Sequence, residues 1–463
     1  MVPPHPSKAE ALSGSEPISL NSAAVAPSVV GKRYLQSVVV LLILNSISAL
    51  LFVSLVNHPV FDDLNNLRDV HRYATQGVSV GTIRNHVNPT GPTSFILMAG
   101  AIRMLGGSEL RDARLAVLLS WLLLSVGLLI GARYSSFPQL WNAAMLVTLI
   151  FPHTLTATAT VLTEGPAMLF AVLGALVWVE SVTRSTITQR LVLLSVIGGM
   201  SMGVAVTCRQ YYLALVPAAV MVALHRRRER SADQKSISSA KVILSLTAAL
   251  VPVLLLILIW KGLSSPGMAS GASYSAWKSK VGLNFFRPVV ATFYTALYLV
   301  PLTLPGVLHL RLVQRRQAFL FAVLGGTGAA LLSSSLLQPG PLRSVIQLVK
   351  QMPTGESIFF GLVAAVTIYN SVILGHLLWD KRNEVRQRPP VVFALLMLLF
   401  FIVEQVGVGG NIPFYELYVL QVAPFLGIIA FDLQPRFTSL RLITLVVLSL
   451  ISHALLWRYA FGG

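Results

Sequence analysis

Apolar runs close to the length that crosses a bilayer, about 20 residues, recur from Leu35 to the C-terminus, separated by short polar breaks. Read as transmembrane helices, they fall near 35–56, 115–132, 140–156, 167–183, 191–207, 211–224, 242–260, 289–308, 318–336, 358–378, 391–408, 416–431 and 442–458. The stretch 92–106, "PTSFILMAGAIRMLG", is too short to span comfortably and carries Arg103, so it reads as a juxtamembrane or re-entrant helix. The expected class is therefore an all-α polytopic membrane protein of about thirteen transmembrane helices. Its long first outer loop, roughly 57–114, is partly helical. Two further outer loops, 261–288 and 337–357, are sizeable, and no internal repeat is visible.

Composition supports this class. The chain is 55% hydrophobic and only 11% charged, against about 25% charged in globular proteins, and its mean hydropathy is +0.73. Its net charge of +18 could suggest a nucleic-acid partner, but the basic residues cluster in short loops between apolar runs: "HRRRERSADQK" (225–235), "RLVQRRQ" (311–317) and "DKRNEVRQR" (380–388). That is the signature of cytoplasmic loops and fixes an orientation, with the N-terminus inside, without implying nucleic acid. The polar first 33 residues, rich in Ser, Pro and Ala, read as a disordered cytoplasmic segment, and 35–56 as a retained span. One cysteine, Cys208, excludes an internal disulfide.

Against this apolar background the few acids stand out: Asp and Glu number 17 in 463 residues. "NHPVFDDLNNLRDVHRYATQG" (57–77) places Asp62 and Asp63 just beyond the first span. Capping of a helix start accounts for one of them and leaves the second free. Asp69 lies seven residues, two helical turns, after Asp62, and with Arg68, His71 and Arg72 it also fits a salt-bridged surface helix. In "RNHVNPTGPTSF" (84–95) the Asn-Pro and Gly-Pro steps force an extended turn, with His86 at a lipid-facing rim. Glu164 precedes Pro166 at the mouth of a span, where a dipole-stabilised cap is the plain alternative to a functional carboxylate. "CRQYYLALVPA" (208–218) offers Arg209, Gln210, Tyr211 and Tyr212; these serve equally as interfacial anchors or as donors to a lipid phosphate. Glu404, beside Gln405, lies within an apolar run, and an intramembrane carboxylate is a functional candidate.

The order of these features resembles the GT-C superfamily of integral-membrane glycosyltransferases. They are a membrane helix, an outer loop opening on an Asp-Asp pair, a "Y…G" step, a His/Pro-rich turn, "RL" (Arg114-Leu115) entering a span, and an acid in the second outer loop. These enzymes use polyprenyl-phosphate-linked sugars; examples are protein mannosyltransferases, lipid A aminoarabinose transferases and dolichyl-phosphate-glucose glucosyltransferases. "RQYYLALVPA" is most similar to an Arg-Gln segment of the last group. The resemblance covers about 35–225 and departs where the usual His-Pro-Pro is "HVNPTGP" and where Glu164 replaces an Asp.

It implies a GT-C-like catalytic membrane module over 34–225, followed by a C-terminal membrane module, 226–463, with variable helices. It further implies an extracytoplasmic, inverting sugar transfer from a polyprenyl-phosphate donor. Asp62 would be the general base with Asp63 as its partner. Arg209, Gln210 and Arg114 would meet the donor phosphate, and Glu164 and His86 the acceptor or a divalent cation (Mg or Mn). Tyr211, Tyr212 and Glu404 would contribute secondary substrate contacts. The expected location is a bacterial inner membrane, or the endoplasmic reticulum in a eukaryote. A polytopic transporter or lipid flippase is the competing reading, sustained by Glu404; clustering of the other acids at one membrane face and the absence of repeated halves favour the enzyme.

Overall fold

The structure, a computed structural model, describes residues 29–60, 62–184, 188–228, 232–269, 283–303, 312–331, 354–407, 416–433 and 439–461. The first 28 residues, the middle of the 261–288 loop, most of the 337–357 loop, and the ends of the expected spans 289–308 and 318–336 lie outside them.

All regular structure among the described residues is helical. From the N-terminus come α1 (Val29–Leu55), α2 (Asp63–Gln76), α3 (Val80–Arg84), α4 (Thr93–Leu105), α5 (Glu109–Tyr134), α6 (Pro138–Ile150), α7 (Thr154–Ala159), α8 (Glu164–Thr183) and α9 (Gln189–Cys208). A 3₁₀ turn, Gln210–Ala214, leads into α10 (Leu215–Arg228), α11 (Ala232–Trp260) and α12 (Pro266–Ala269). Then follow α13 (Phe286–Thr303), α14 (Leu312–Ala330), α15 (Gly355–Asp380), α16 (Arg382–Arg386) and α17 (Pro389–Glu404). A second 3₁₀ segment, Glu416–Val422, precedes α18 (Ala423–Leu433) and α19 (Ser439–Phe461).

Six of the described helices are long and apolar enough to cross a membrane: Leu35–Leu55, Glu109–Tyr134, Glu164–Thr183, Gln189–Cys208, Ser239–Trp260 and Gly355–Asp380. Each coincides with an expected span. The protein is thus a multi-pass integral membrane protein. On α1, Val40, Ile43, Leu44, Ile47, Leu50 and Leu51 leave an exposed apolar stripe at helical spacing, the face that lipid covers. The stretch 92–106 forms α4, 13 residues long, packed with α2 and α5.

The expected span 140–156 is not continuous. Pro152 has no N–H to donate and drives the preceding Phe151 into an extended conformation (φ −60°, ψ 133°), so α6 stops at Ile150 and α7 restarts at Thr154. Backbone groups freed by the break find partners both across it and from distant helices. Asn45 of α1 donates to Leu149 O at 2.7 Å, the Thr154 hydroxyl to Thr148 O at 2.5 Å, and Leu155 N donates to the Ser452 hydroxyl of α19 at 3.3 Å.

Helix α9 lies wedged between α8 and α11 on small residues. A Cβ at Gly198 would stand 2.9 Å from Gly174 O; at Gly199, 2.1 Å from Ser245 O; at Gly203, 2.1 Å from Ala249 O. Gly199 and Gly203 are one turn apart and face Ser245 and Ala249, also one turn apart, so the two backbones approach as in other small-residue membrane interfaces. At the far end of the bundle, Arg388 pairs with Asp432, and Lys381 donates to Leu433 O at 2.8 Å.

Candidate functional site

The end of α1, the starts of α5 and α8, the end of α9, the start of α13 and the end of α17 converge at one end of the bundle. The acidic pair sits there, and the structure separates its two members. Asp63, the first residue of α2, has no exposed surface. Its Oδ1 accepts from Val161 N at 2.5 Å; its Oδ2 accepts from Val60 N at 3.0 Å and from Arg114 Nη2 at 2.5 Å. Arg114 is equally buried and also donates to Val56 O (2.5 Å) and His58 O (2.9 Å), with Phe52 beneath its guanidinium at 5.3 Å. A buried carboxylate and guanidinium this well matched hold the exit of α1, the start of α2 and the segment before α8 in one register. Two of the expected site residues are located here. Arg114 is buried, its terminal nitrogens spent on Asp63 and two carbonyls. Asp63 has both oxygens engaged and serves as an anchor.

Asp62 is exposed. It occupies the position before α2 but makes no side-chain cap, and its side-chain partner among the described residues is Asn65, at 3.4 Å. Capping therefore does not account for it.

Next to the anchor, α2 and the turn before α4 share a buried polar network. Asn66 donates to Val161 O at 2.6 Å and accepts from Asn88 at 3.2 Å; Asn88 Oδ1 takes Thr90 N at 3.0 Å. His86 has no exposed surface. Its Nε2 faces Thr90 O at 2.8 Å, and a carbonyl only accepts, so that nitrogen carries the proton and Nδ1 accepts from the Tyr73 hydroxyl at 3.2 Å. Burial pushes the imidazole down to about 4 and raises the Tyr73 phenol. Asp69, 3.9 Å from His86, is held above the usual carboxylate range, chiefly by burial, with Arg72 opposing. Both ring nitrogens of His86 are thus engaged within the fold. Among the described residues, no group of three or more His, Cys, Asp or Glu is placed to hold a metal ion.

Gly91 explains how the turn reaches α9. Its N–H donates to Cys208 O at 3.2 Å, and a Cβ there would fall 1.8 Å from Thr207 O. Gln210 adds a bond to Pro89 O at 2.9 Å, so Gln210 holds the turn.

Beyond this turn lies a cationic, aromatic centre. Arg209, in the extended residue ending α9, pairs with Glu164, the first residue of α8. The Arg209 guanidinium lies 6.0 Å from the Tyr211 ring centre and 5.7 Å from that of Tyr418; Arg287 lies 6.0 and 5.5 Å from the same rings. Arg287 donates to Gln405 Oε1 and to the Tyr211 hydroxyl, both at 2.9 Å. Glu404 is the last residue of α17, at this same end, and lies within the field of Arg287. Tyr212 is buried below, its hydroxyl donating to Gln421 O at 3.4 Å. Arg287 and Tyr418 are additions to the residues expected from sequence. The signal for Arg287 was present in "NFFRP": a cation in the first turn of an apolar helix opposes the helix dipole and needs another reason to be there.

No protein-family model matches the sequence, and no curated protein matches it. Among solved structures, the chain is similar over most of its length to ArnT from Cupriavidus metallidurans. In the apo state that structure shows 15% identity and a TM-score of 0.43, with 94% of this chain and 78% of that one covered. Bound to undecaprenyl phosphate, it shows 14% identity and a TM-score of 0.42, with 92% and 78% covered. The archaeal oligosaccharyltransferase AglB from Archaeoglobus fulgidus, in complex with an inhibitory peptide and a dolichol-phosphate, is similar at 12% identity and a TM-score of 0.38, with 82% of this chain and 57% of that one covered.

Proposed function

We propose that the chain transfers a sugar from a polyprenyl-phosphate-linked donor to an acceptor at the extracytoplasmic membrane face, in the manner of the GT-C enzymes its sequence resembles. The observation that carries this reading is the division of labour in the acidic pair. Asp63 is consumed by Arg114, while Asp62 is left as a solvent-facing carboxylate at the same end of the bundle as Arg209 and Arg287. In the reaction, an acceptor hydroxyl or amine attacks the anomeric carbon and the bond from that carbon to the phosphate oxygen breaks. The acceptor's proton passes to the Asp62 carboxylate, and the lipid phosphate leaves carrying the electron pair. Guanidinium groups meet the charge that builds on the leaving phosphate; Arg209, partly exposed, is the first of them and Arg287 stands across the tyrosine pair. Attack opposite the leaving group inverts the anomeric centre.

Support for an outer location comes from the basic loops of the sequence, whose charge is the pattern of cytoplasmic segments. Glu404, the feature that sustained a transporter, is the last residue of α17 and lies within the field of Arg287. Asp62→Asn, confirmed to be membrane-inserted, is expected to lower transfer from a radiolabelled polyprenyl-phosphate sugar by about 10²-fold or more. Undiminished transfer by that variant would refute the assignment of the base.

A further inference from the structure

Glu164 and Asp63 are both buried carboxylates, but only Asp63 is fully supplied with donors. Beyond the Arg209 guanidinium, no hydrogen bond from any described group reaches either oxygen of Glu164. Buried carboxylates ordinarily collect several donors, so Glu164 is under-coordinated for its depth. The two members of the pair also differ in access: the Glu164 side chain is 0% exposed and that of Arg209 12%. An incoming ligand therefore meets the arginine first. The Nε of Arg209 has no partner among the described residues.

The backbone beneath the pair is fixed on both sides. The Ser94 hydroxyl donates to Thr163 O at 3.3 Å, Gly165 is pressed against Val117, and Arg209 N donates to Ala205 O at 2.8 Å. A change of partner thus needs side-chain rotation alone.

We propose that Glu164 and Arg209 form an exchangeable pair. A lipid phosphate displaces Glu164 from Arg209, and the released carboxylate takes hydrogen bonds from hydroxyls of the sugar that the phosphate carries. This rests on the reading of Arg209 as the phosphate ligand and assigns Glu164 two tasks: competitor for the phosphate and orienter of the sugar. A sugar-bearing donor satisfies both residues. The bare lipid phosphate satisfies Arg209 but leaves Glu164 buried without donors. Once the sugar has gone to the acceptor, Glu164 returns to Arg209 and expels the spent lipid, so the same carboxylate that admits the donor drives release of the product.

The test uses the full chain in lipid nanodiscs and undecaprenyl phosphate as the bare probe, with melting temperature as the folding control. Glu164→Gln is expected to bind the probe about tenfold tighter, because Arg209 is no longer held by a competing charge, while sugar transfer slows. Arg209→Ala is expected to bind it about tenfold more weakly. If Arg209→Ala weakens binding but Glu164→Gln leaves it unchanged or weaker, the exchange is overturned and the phosphate reading stands. If Arg209→Ala binds like the parent chain, the phosphate reading itself fails, and the exchange with it. Should Glu164→Gln not fold, Glu164→Asp, which keeps the charge but shortens its reach, takes its place: tighter binding supports the exchange and unchanged or weaker binding overturns it.

Discussion

Asp62 and Asp63 are neighbours in the chain, yet one faces solvent and the other has no surface at all. Their difference is made by Arg114, 51 positions beyond Asp63, and by the Val161 N–H, 98 positions beyond it. Sequence alone reveals that two carboxylates are more than a cap requires. It does not reveal which is consumed, because the partners arrive from α5 and from the segment before α8. The same holds for His86, whose rim-like turn gave no sign of the Tyr73 and Thr90 contacts that bury it. The imidazole has a consequence at this scale. Its pKa in the folded chain, about 4, lies below the 6.5 of an exposed histidine, so the unfolded chain binds more protons between those values. Its contribution to stability is complete above pH 6.5 and is lost as pH falls towards 4, to an extent of about 3 kcal/mol. The raised carboxyl of Asp69 acts in the opposite sense, contributing at low pH and losing its contribution as pH rises. Denaturant titrations of detergent-solubilised protein at pH 7 and pH 4.5 should show a fall in the parent chain that is smaller in His86→Asn, which has no titrating ring.

Among the elements, length and hydropathy located the six long helices well, because a span is written in composition and needs no knowledge of its neighbours. They failed at α6 and α7, where Phe151 and Pro152 are apolar enough to extend a hydropathy run but cannot extend a helix. Glycines are the other element-scale code. Gly199 and Gly203 mark where α11 crosses α9, and a side chain there meets carbonyls and not yielding side-chain tips. Gly203→Val is expected to destabilise the folded protein by about 1–3 kcal/mol through overpacking, read as a lowered melting temperature. Because the end of α9 carries Arg209, transfer activity should drop with it. Gly100→Ala, where a Cβ meets nothing within 4 Å, is the matched control and should melt like the parent.

For the whole molecule, the polar groups at one end come from helices spread along most of the chain, so no fragment contains the site. Arg287, Gln405 and Tyr418 belong to the C-terminal half, which resembles the family only in general layout. That is why sequence reading found the acidic side of the site and missed much of its cationic side. The break between α6 and α7 extends the dependence further. It is sealed by Asn45 from near the start of the chain and by Ser452 from near its end, and Trp457 of α19 reaches back to the Ser48 hydroxyl of α1 at 3.2 Å. Deleting residues 439–463 removes none of Asp62, Glu164, Arg209 or Arg287, yet it strips Leu155 N of its partner and uncovers α1. The truncated chain is expected to insert but to melt lower and to lose transfer, as detergent-extracted protein assayed beside the full chain would reveal; transfer at the parent level would contradict this.

Seen in time, the same break imposes an order on synthesis. The α6–α7 junction leaves the ribosome nearly three hundred residues before Ser452 exists to receive its N–H, so that bond forms only after α19 has been made. Helix α19 is thus a clasp on elements made much earlier, α1 and the α6–α7 junction, and they gain these partners only when it has been made.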